Sequence, residues 1–156
     1  MQRERGKSHC PINVGLETFG DSWSLLVVRD IVYFGKHTFS EFLASEEAIA
    51  PSVLASRLAR LEETGVLARA VDPADGRKVT YQLTEDGLAL IPVLLEIAEW
   101  SARVDPDTDA PAEWIETVRR NKAAVTELIT ATVRAGGSIF VGPGSVEDAE
   151  IGRAHV

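Results

Sequence analysis

Residues 51–83 read PSVLASRLARLEETGVLARAVDPADGRKVTYQL, and this stretch decides the fold. Its first half places leucines at Leu54, Leu58 and Leu61, which are spaced by four and three residues. That spacing is typical of a helix with one buried face, and Gly65 marks where the helix has ended. The first half therefore predicts an amphipathic helix over about 51–64.

The second half of the stretch has the pattern of a β-hairpin. Apolar and polar residues alternate in 66–71 and again in 79–83, which predicts two strands. The segment between them, 72–78, contains a proline and an Asp-Gly pair, both of which favour turns. Its last two residues are Arg77 and Lys78, so the predicted hairpin has a basic tip.

A second short helix is predicted just before this stretch. Thr38 is a good N-cap residue, and Glu41 three residues later completes a capping box for a helix over 39–44. Two short helices joined by a few residues form a helix-turn-helix, and a hairpin that follows them makes it winged. The predicted fold is mostly α with a small β-wing, a winged helix-turn-helix with additional dimerisation and C-terminal helices.

This arrangement suits double-stranded DNA, because a helix fits the major groove and cations on a wing reach the backbone or the minor groove. Small side chains on the outer face of the 51–64 helix allow a close approach to the bases. The candidate DNA-binding residues are Lys36, Ser52, Ser56, Arg57, Arg60, Arg77 and Lys78. Two plainer interpretations stay open. Arg57 and Arg60 pair with Glu62, Glu63 or another acidic residue, and the wing cations only keep an edge hairpin soluble.

The segment 85–103 is too apolar for a helix that packs on one side only. It carries two nearly opposite apolar stripes, so one face packs on the domain's own core and the other needs a partner. A second copy of the chain is the simplest partner, and we therefore expect a homodimer. The candidate interface residues are Leu90, Val93, Leu94, Ile97 and Trp100.

The whole chain divides into five predicted parts. They are a flexible basic N-terminus (1–9), a winged-helix domain that includes the dimerisation helix (10–104), a linker (105–111), an amphipathic C-terminal helix (112–135) and a flexible tail (136–156).

Composition excludes several classes of protein. The chain has 156 residues, 45% of them apolar, which is enough for a packed core, and it contains no apolar run long enough to span a membrane. No secretory signal is present, so we expect a cytoplasmic protein.

The net charge of −8 does not exclude a DNA partner, because residues 84–117 alone hold nine acidic residues against one basic residue. With one cysteine and no catalytic motif, neither a metal, a cofactor nor an enzymatic activity is expected.

Five blocks in order resemble a known family. They are CPI (10–12), SWSLLVVRDI (22–31), TFSEF (38–42), LASRLARLEETGVLAR (54–69) and YQLTEDGLALIPVLLEIAEW (81–100). Together they are similar to the HxlR-type transcriptional regulators, a branch of the MarR-like winged helices, over about residues 9–101. The resemblance implies a homodimeric regulator on an inverted-repeat operator, with the first helix and the helix after the wing in the dimer interface. We expect it to act as a repressor.

Cys10 has two interpretations of equal standing. At the start of a helix, next to His9, its thiolate is stabilised and open to oxidation, and some HxlR-type regulators use a cysteine in this position to sense oxidants or electrophiles. Alternatively, Cys10 is a small buried residue of the dimer interface.

Two other functions stay open at this stage. Trp23, Trp100 and Trp114 would line a pocket for a small aromatic effector, although packing in the core and interface is the commoner role of tryptophan. A winged helix that binds a protein instead of DNA would suit the negative net charge.

Overall fold

The structure, a computed structural model, describes residues 6–142 and 144–146. It is mostly helical with one two-stranded antiparallel sheet, which confirms the predicted fold class. The elements are α1 (Pro11–Phe19), α2 (Ser24–Phe34), α3 (Phe39–Leu43), α4 (Pro51–Glu63), β1 (Leu67–Val71), β2 (Val79–Leu83), α5 (Glu85–Leu88), α6 (Ile91–Val104), α7 (Ala112–Arg120) and α8 (Lys122–Arg134).

The chain forms two compact units. The first holds the described residues up to Ile31 together with Lys36–Gly87, and the second holds Val32–Gly35 together with the described residues from Leu88 onward. The predicted winged-helix domain, 10–104, therefore extends over both units.

Local signals in the first unit form the elements that the sequence predicts. The Thr38 side chain accepts a hydrogen bond from the Glu41 amide (3.3 Å), and Glu41 Oε1 accepts one from the Thr38 amide (3.1 Å), so the predicted capping box opens α3. Leu54, Leu58 and Leu61 of α4 are buried, as their spacing predicts. The helix-turn-helix thus consists of α3, the connecting segment 44–50 and α4.

The hairpin runs in register from the pair Leu67 and Leu83 to the pair Val71 and Val79 at the tip. The Tyr81 carbonyl accepts a hydrogen bond from His37 Nδ1 (2.8 Å), and the Tyr81 amide donates to the His37 carbonyl (2.8 Å). These two bonds tie β2 to the segment before α3. Past the hairpin, Gly87 is required by close packing, because a Cβ there would lie 2.3 Å from the Val66 carbonyl oxygen.

In the second unit, α7 and α8 pack against α6. The buried side chains at its centre come from all three helices: Ile91, Leu94, Leu95, Ile115, Val118, Val125, Ile129 and Val133. Ion pairs join the same helices at the surface, since Lys122 Nζ lies 2.6 Å from Glu96 Oε1 and 2.5 Å from Glu99 Oε2.

Two predicted helices are each interrupted. The predicted helix 85–103 is split into α5 and α6, because Pro92 has no N–H for the Leu88 carbonyl and belongs in the first turn of a new helix. The predicted helix 112–135 is split at Asn121, whose backbone leaves the helical region (φ −146°, ψ 54°). Asparagine has a low helix propensity, which favours a break there, and its side chain makes no capping hydrogen bond to α8.

The expectation of a flexible tail over 136–156 is wrong for the part that the structure describes. Ile139 and Val146 are fully buried. The amides of Ile139 and Phe140 donate to the carbonyls of Val32 (2.9 Å) and Tyr33 (3.0 Å), which lie at the C-terminal end of α2 and lack helical partners. The remainder of the predicted tail (143 and 147–156) and residues 1–5 of the predicted N-terminus lie outside the described residues.

Candidate nucleic-acid interface

The outer face of α4 is exposed and carries small or basic side chains. Ser52, Ser56, Ala59 and Arg60 are all exposed, and they lie opposite the buried leucine stripe. A face of this kind can approach a groove closely, because its short side chains leave the helix backbone near the bases.

The tip of the wing is open to solvent and basic. Arg77 is 97% exposed in its side chain, Lys78 is exposed, and the nearest acidic group to Arg77 is Asp75 Oδ1, 3.7 Å from Nε. A surface pair of this kind holds its partner weakly, so Arg77 can exchange Asp75 for a phosphate at little cost. The hydrogen bond from the Asp72 amide to the Lys78 carbonyl (2.9 Å) closes the loop.

The two other predicted cations are placed differently. Lys36 is half-buried, donates from Nζ to Ser45 Oγ (2.8 Å) and lies 3.8 Å from Asp30 Oδ2. Arg57 is also half-buried, with Nε 3.7 Å from Asp21 Oδ2. Of the seven predicted DNA-binding residues, five are therefore exposed on α4 and the wing, while these two are turned toward acidic side chains of their own unit.

Sequence reasoning missed a charged cluster on α2. The Asp30 side chain is almost completely buried, and it accepts hydrogen bonds from Arg29 Nε (3.1 Å) and Nη2 (2.8 Å) and from the Ser45 hydroxyl. Arg29 also forms a two-pronged pair with Glu47, at 2.5 and 2.8 Å. The hydrogen bond with Glu47 raises the pKa of Arg29, and the same bond lowers the pKa of Glu47 from 4.5 to about 2. The only signal in the sequence was an Arg-Asp pair inside an apolar run.

Cys10 is exposed and lies directly before α1. The backbone N–H groups of Asn13 and then Ile12 lower the pKa of its thiol, as expected at a helix N-terminus. The alternative of a buried thiol requires a partner subunit to cover it, since Cys10 is open to solvent in the single chain.

The predicted dimer surface on α6 is only partly exposed. Ile97 and Trp100 are exposed (46% and 57%), and Val104, which was not predicted, continues their stripe at 57%. Leu90 and Val93 are half-buried. Leu94 is 8% exposed and belongs to the core of the second unit, because it lies on the stripe that faces α7 and α8.

The three tryptophans have separate environments. Trp23 lines a small, open cleft in the first unit, together with Phe42, Ile49 and Leu54. In the second unit, Trp100 is exposed and Trp114 packs edge-on against Phe140, with ring centroids 5.7 Å apart.

The described part of the chain contains neither a helix able to cross a membrane nor a group of three or more His, Cys, Asp and Glu side chains suited to a metal ion.

A helix-turn-helix followed by a hairpin with a basic tip defines a winged-helix DNA-binding protein. The HxlR-like helix-turn-helix family model matches residues 18–108. The chain belongs to this family, as the five sequence blocks predicted, and it is a transcriptional regulator of the helix-turn-helix type and not an enzyme. Helices α7 and α8 lie beyond the matched residues.

Individual relatives agree with this assignment. The HTH-type transcriptional regulator YvaP of Bacillus subtilis (strain 168) is 34% identical over 99 residues, 62% of this chain and 91% of YvaP. YodB of the same organism, also an HTH-type transcriptional regulator, is 32% identical over 97 residues, 62% of this chain and 86% of YodB.

Solved structures give the same result. The reduced form of YodB from B. subtilis is similar with a TM-score of 0.54 at 29% identity, covering 65% of this chain and all of that one. The redox regulator HypR in its oxidized form has a TM-score of 0.55 at 28% identity, again covering 65% of this chain and all of that one. The crystal structure of PA1607 has a TM-score of 0.60 at 36% identity, covering 67% of this chain and 73% of that one.

Proposed function

We propose that this regulator is a homodimeric repressor that binds an inverted-repeat operator and blocks a promoter. In each protomer α4 lies in the major groove, and the wing tip contacts the adjacent backbone or minor groove. The observation that carries this proposal is the exposed face of Ser52, Ser56 and Arg60 on α4, followed in the chain by the exposed cations Arg77 and Lys78. Family membership supports DNA as the partner.

The homodimer is supported by the apolar stripe on α6. Ile97, Trp100 and Val104 expose about half of their surface, and monomers seldom leave a contiguous apolar stripe uncovered. Twofold symmetry brings the same stripe of a second copy against it, and it presents two α4 helices to half-sites about 34 Å apart. The family resemblance also assigns the first helix to the interface, and α1 exposes the apolar side chains Ile12 and Leu16.

The test is selection of genomic fragments by the purified protein, followed by a salt titration of its binding to the selected duplex. The logarithm of the affinity should fall linearly with the logarithm of the salt concentration, by about 0.9 per phosphate contacted. The double variant Arg77→Ala/Lys78→Ala should reduce that slope by about 2. Arg120→Ala, which removes an exposed cation of α7, is the matched control and should leave the slope unchanged. A protein-binding winged helix would instead select no fragment.

We further propose that oxidation of Cys10 changes operator binding. This is supported by the exposure of the thiol and its lowered pKa, and by the fact that HypR is a redox regulator and YodB has been studied in reduced and diamide-treated forms. Since the chain has one cysteine, a disulfide joins two protomers. The two thiols lose two electrons and two protons, which reduce diamide to the hydrazine.

The experiment compares operator affinity of the wild type and Cys10→Ser with and without diamide. The wild type should lose affinity and run as a covalent dimer on a non-reducing gel, while Cys10→Ser should do neither. Equal responses of the two proteins would show that Cys10 is not the sensor.

A further inference from the structure

The segment between the two helices of the helix-turn-helix is fastened to α2 through side chains. Glu47 in this segment accepts two hydrogen bonds from the Arg29 guanidinium, at 2.5 and 2.8 Å. Such two-pronged pairs fix orientation as well as distance, because both partners are planar. The contact joins residues 18 positions apart in the sequence.

Asp30 forms the second connection, and it is buried. Its carboxylate accepts from the Ser45 hydroxyl and from Arg29, and Lys36 lies 3.8 Å away and itself donates to Ser45 Oγ. A buried carboxylate is tolerated only with charged and hydrogen-bonding partners around it. Moving Ser45 away from α2 would therefore leave the buried Asp30 carboxylate with one hydrogen-bond partner fewer. This cost favours the observed position of the segment over alternatives.

Local signals in the segment do not fix it by themselves. Ala50 occupies the N-cap position of α4, and alanine has no side-chain oxygen for the free amides of the first turn. Ala48 adopts a left-handed backbone (φ 58°) that alanine disfavours. A path of this kind persists only where surrounding contacts determine it. The hydrogen bonds that the structure describes between α2 and this segment are those of Arg29 with Glu47 and of Asp30 with Ser45.

We propose that Arg29, Asp30 and Glu47 are positioning residues for operator recognition: they fix where α4 begins, and so how its outer face meets the bases, without touching DNA themselves. This inference rests on the proposed role of α4. Because the cluster sets geometry and adds no phosphate contact, its loss should weaken binding to the operator and leave binding to unrelated DNA unchanged.

The test compares Glu47→Ala with Glu46→Ala. Both remove one carboxylate from the same exposed segment, but only Glu47 pairs with Arg29. The measured quantity is the ratio of affinities for the selected operator and a scrambled duplex. We expect Glu47→Ala to lower this ratio about tenfold with an unchanged salt slope on the scrambled duplex, and Glu46→Ala to keep the wild-type ratio. Glu47→Gln, which keeps one acceptor oxygen for Arg29, should fall between them. A purely structural role would instead lower both affinities together.

Hydrogen exchange of the DNA-free protein gives an independent measurement. The amides of Ala48 and Leu54 donate to Ser45 (3.0 Å) and Ala50 (2.9 Å), so they report on the segment and on the first turn of α4. Glu47→Ala should speed their exchange at least fivefold relative to Glu46→Ala, with no change in the α6 amides. Equal affinity ratios and equal exchange in the two variants would overturn the proposal. If the wild type selects no fragment, the proposed function fails, while the exchange data still decide whether the cluster holds α4.

Discussion

Arg57 Nε on α4 lies 3.7 Å from the Asp21 carboxylate, which in turn accepts hydrogen bonds from the Trp23 and Ser24 amides (2.9 and 3.0 Å) at the start of α2. Burial raises the pKa of Asp21, but the Ser24 hydroxyl and these two amides, with Arg57, more than offset it and lower the pKa below its ordinary value. Arg57 therefore forms an ion pair between α4 and the capped N-terminus of α2 within the first unit.

The first prediction separates Arg57 from its neighbour Arg60, which is exposed on the outer face of α4. Arg60→Ala should reduce the salt slope of operator binding by about 0.9, because one phosphate contact is lost. Arg57→Ala should leave the slope within 0.3 of the wild type and lower the free energy of unfolding by about 0.5–1 kcal/mol, since a half-exposed ion pair contributes little. Salt titrations and urea unfolding of both variants measure the two effects. The opposite assignment of effects would place Arg57 on the DNA.

Ala48 supplies the second prediction. Its left-handed backbone (φ 58°) costs an L-residue about 1–2 kcal/mol, and glycine avoids this cost while losing more entropy on folding. Ala48→Gly should therefore raise the free energy of unfolding by about 0.5–1 kcal/mol in urea denaturation. The control is Ala44→Gly in the same connecting segment, where φ is −78° and glycine gives no relief. That variant should be destabilised, and two destabilised variants would contradict the expectation.

The features that sequence predicts well are those encoded by neighbours in the chain. The Thr38 capping box and the leucine stripe of α4 depend on residues three or four positions apart, so their patterns are visible without a structure. The exposure of Ser52, Ser56 and Arg60 follows from the same helical periodicity. That of Arg77 and Lys78 follows instead from the turn residues between the two strands.

Features that depend on distant partners were not visible. Arg29 and Asp30 meet Glu47 and Ser45 only after the chain has turned, and the sequence showed no more than two adjacent charges in an apolar run. Likewise, Ile139 shows no periodic pattern with its neighbours. It is buried, and its amide donates to the Val32 carbonyl of α2, which lies over a hundred residues away in the chain.

The α6 stripe gives the third prediction. Trp100→Glu should raise the dimer dissociation constant at least a hundredfold, because it removes a large apolar side chain from the proposed interface and buries a charge there instead. Sedimentation equilibrium measures this constant. Arg103→Glu, three residues further along the same helix and exposed, is the control and should have a much smaller effect. A wild type that is monomeric at tens of micromolar would remove the basis for paired half-sites.

The described part of the C-terminal extension gives the fourth prediction. Ile139 is completely buried, so Ile139→Ala should lower the free energy of unfolding by about 2–4 kcal/mol. Val141, two residues away, is 51% exposed, and Val141→Ala should change it by less than about 0.5 kcal/mol. Urea denaturation of both variants provides the comparison. A small effect at both positions would mean that the segment does not pack in solution.

The last prediction concerns acid stability. The hydrogen bond from Arg29 lowers the pKa of Glu47 from 4.5 to about 2. The positive charge of Lys36 also lowers this pKa, and Arg29 forms a second ion pair with Asp30. A carboxylate whose pKa is lower in the folded state stabilises the fold above its unfolded pKa, and this contribution is lost as the pH falls from about 4.5 toward 2. Because Glu47 is more than a third exposed, solvent screening limits the contribution to about 1 kcal/mol or less. The wild type should therefore be more stable than Glu47→Gln at pH 6 in urea unfolding, and the difference should shrink by more than half at pH 3. The control is Glu46→Gln at the neighbouring exposed position, whose free energy of unfolding at pH 6 should match that of the wild type. If the stability difference between the wild type and Glu47→Gln does not change with pH, the charge of Glu47 does not stabilise the fold.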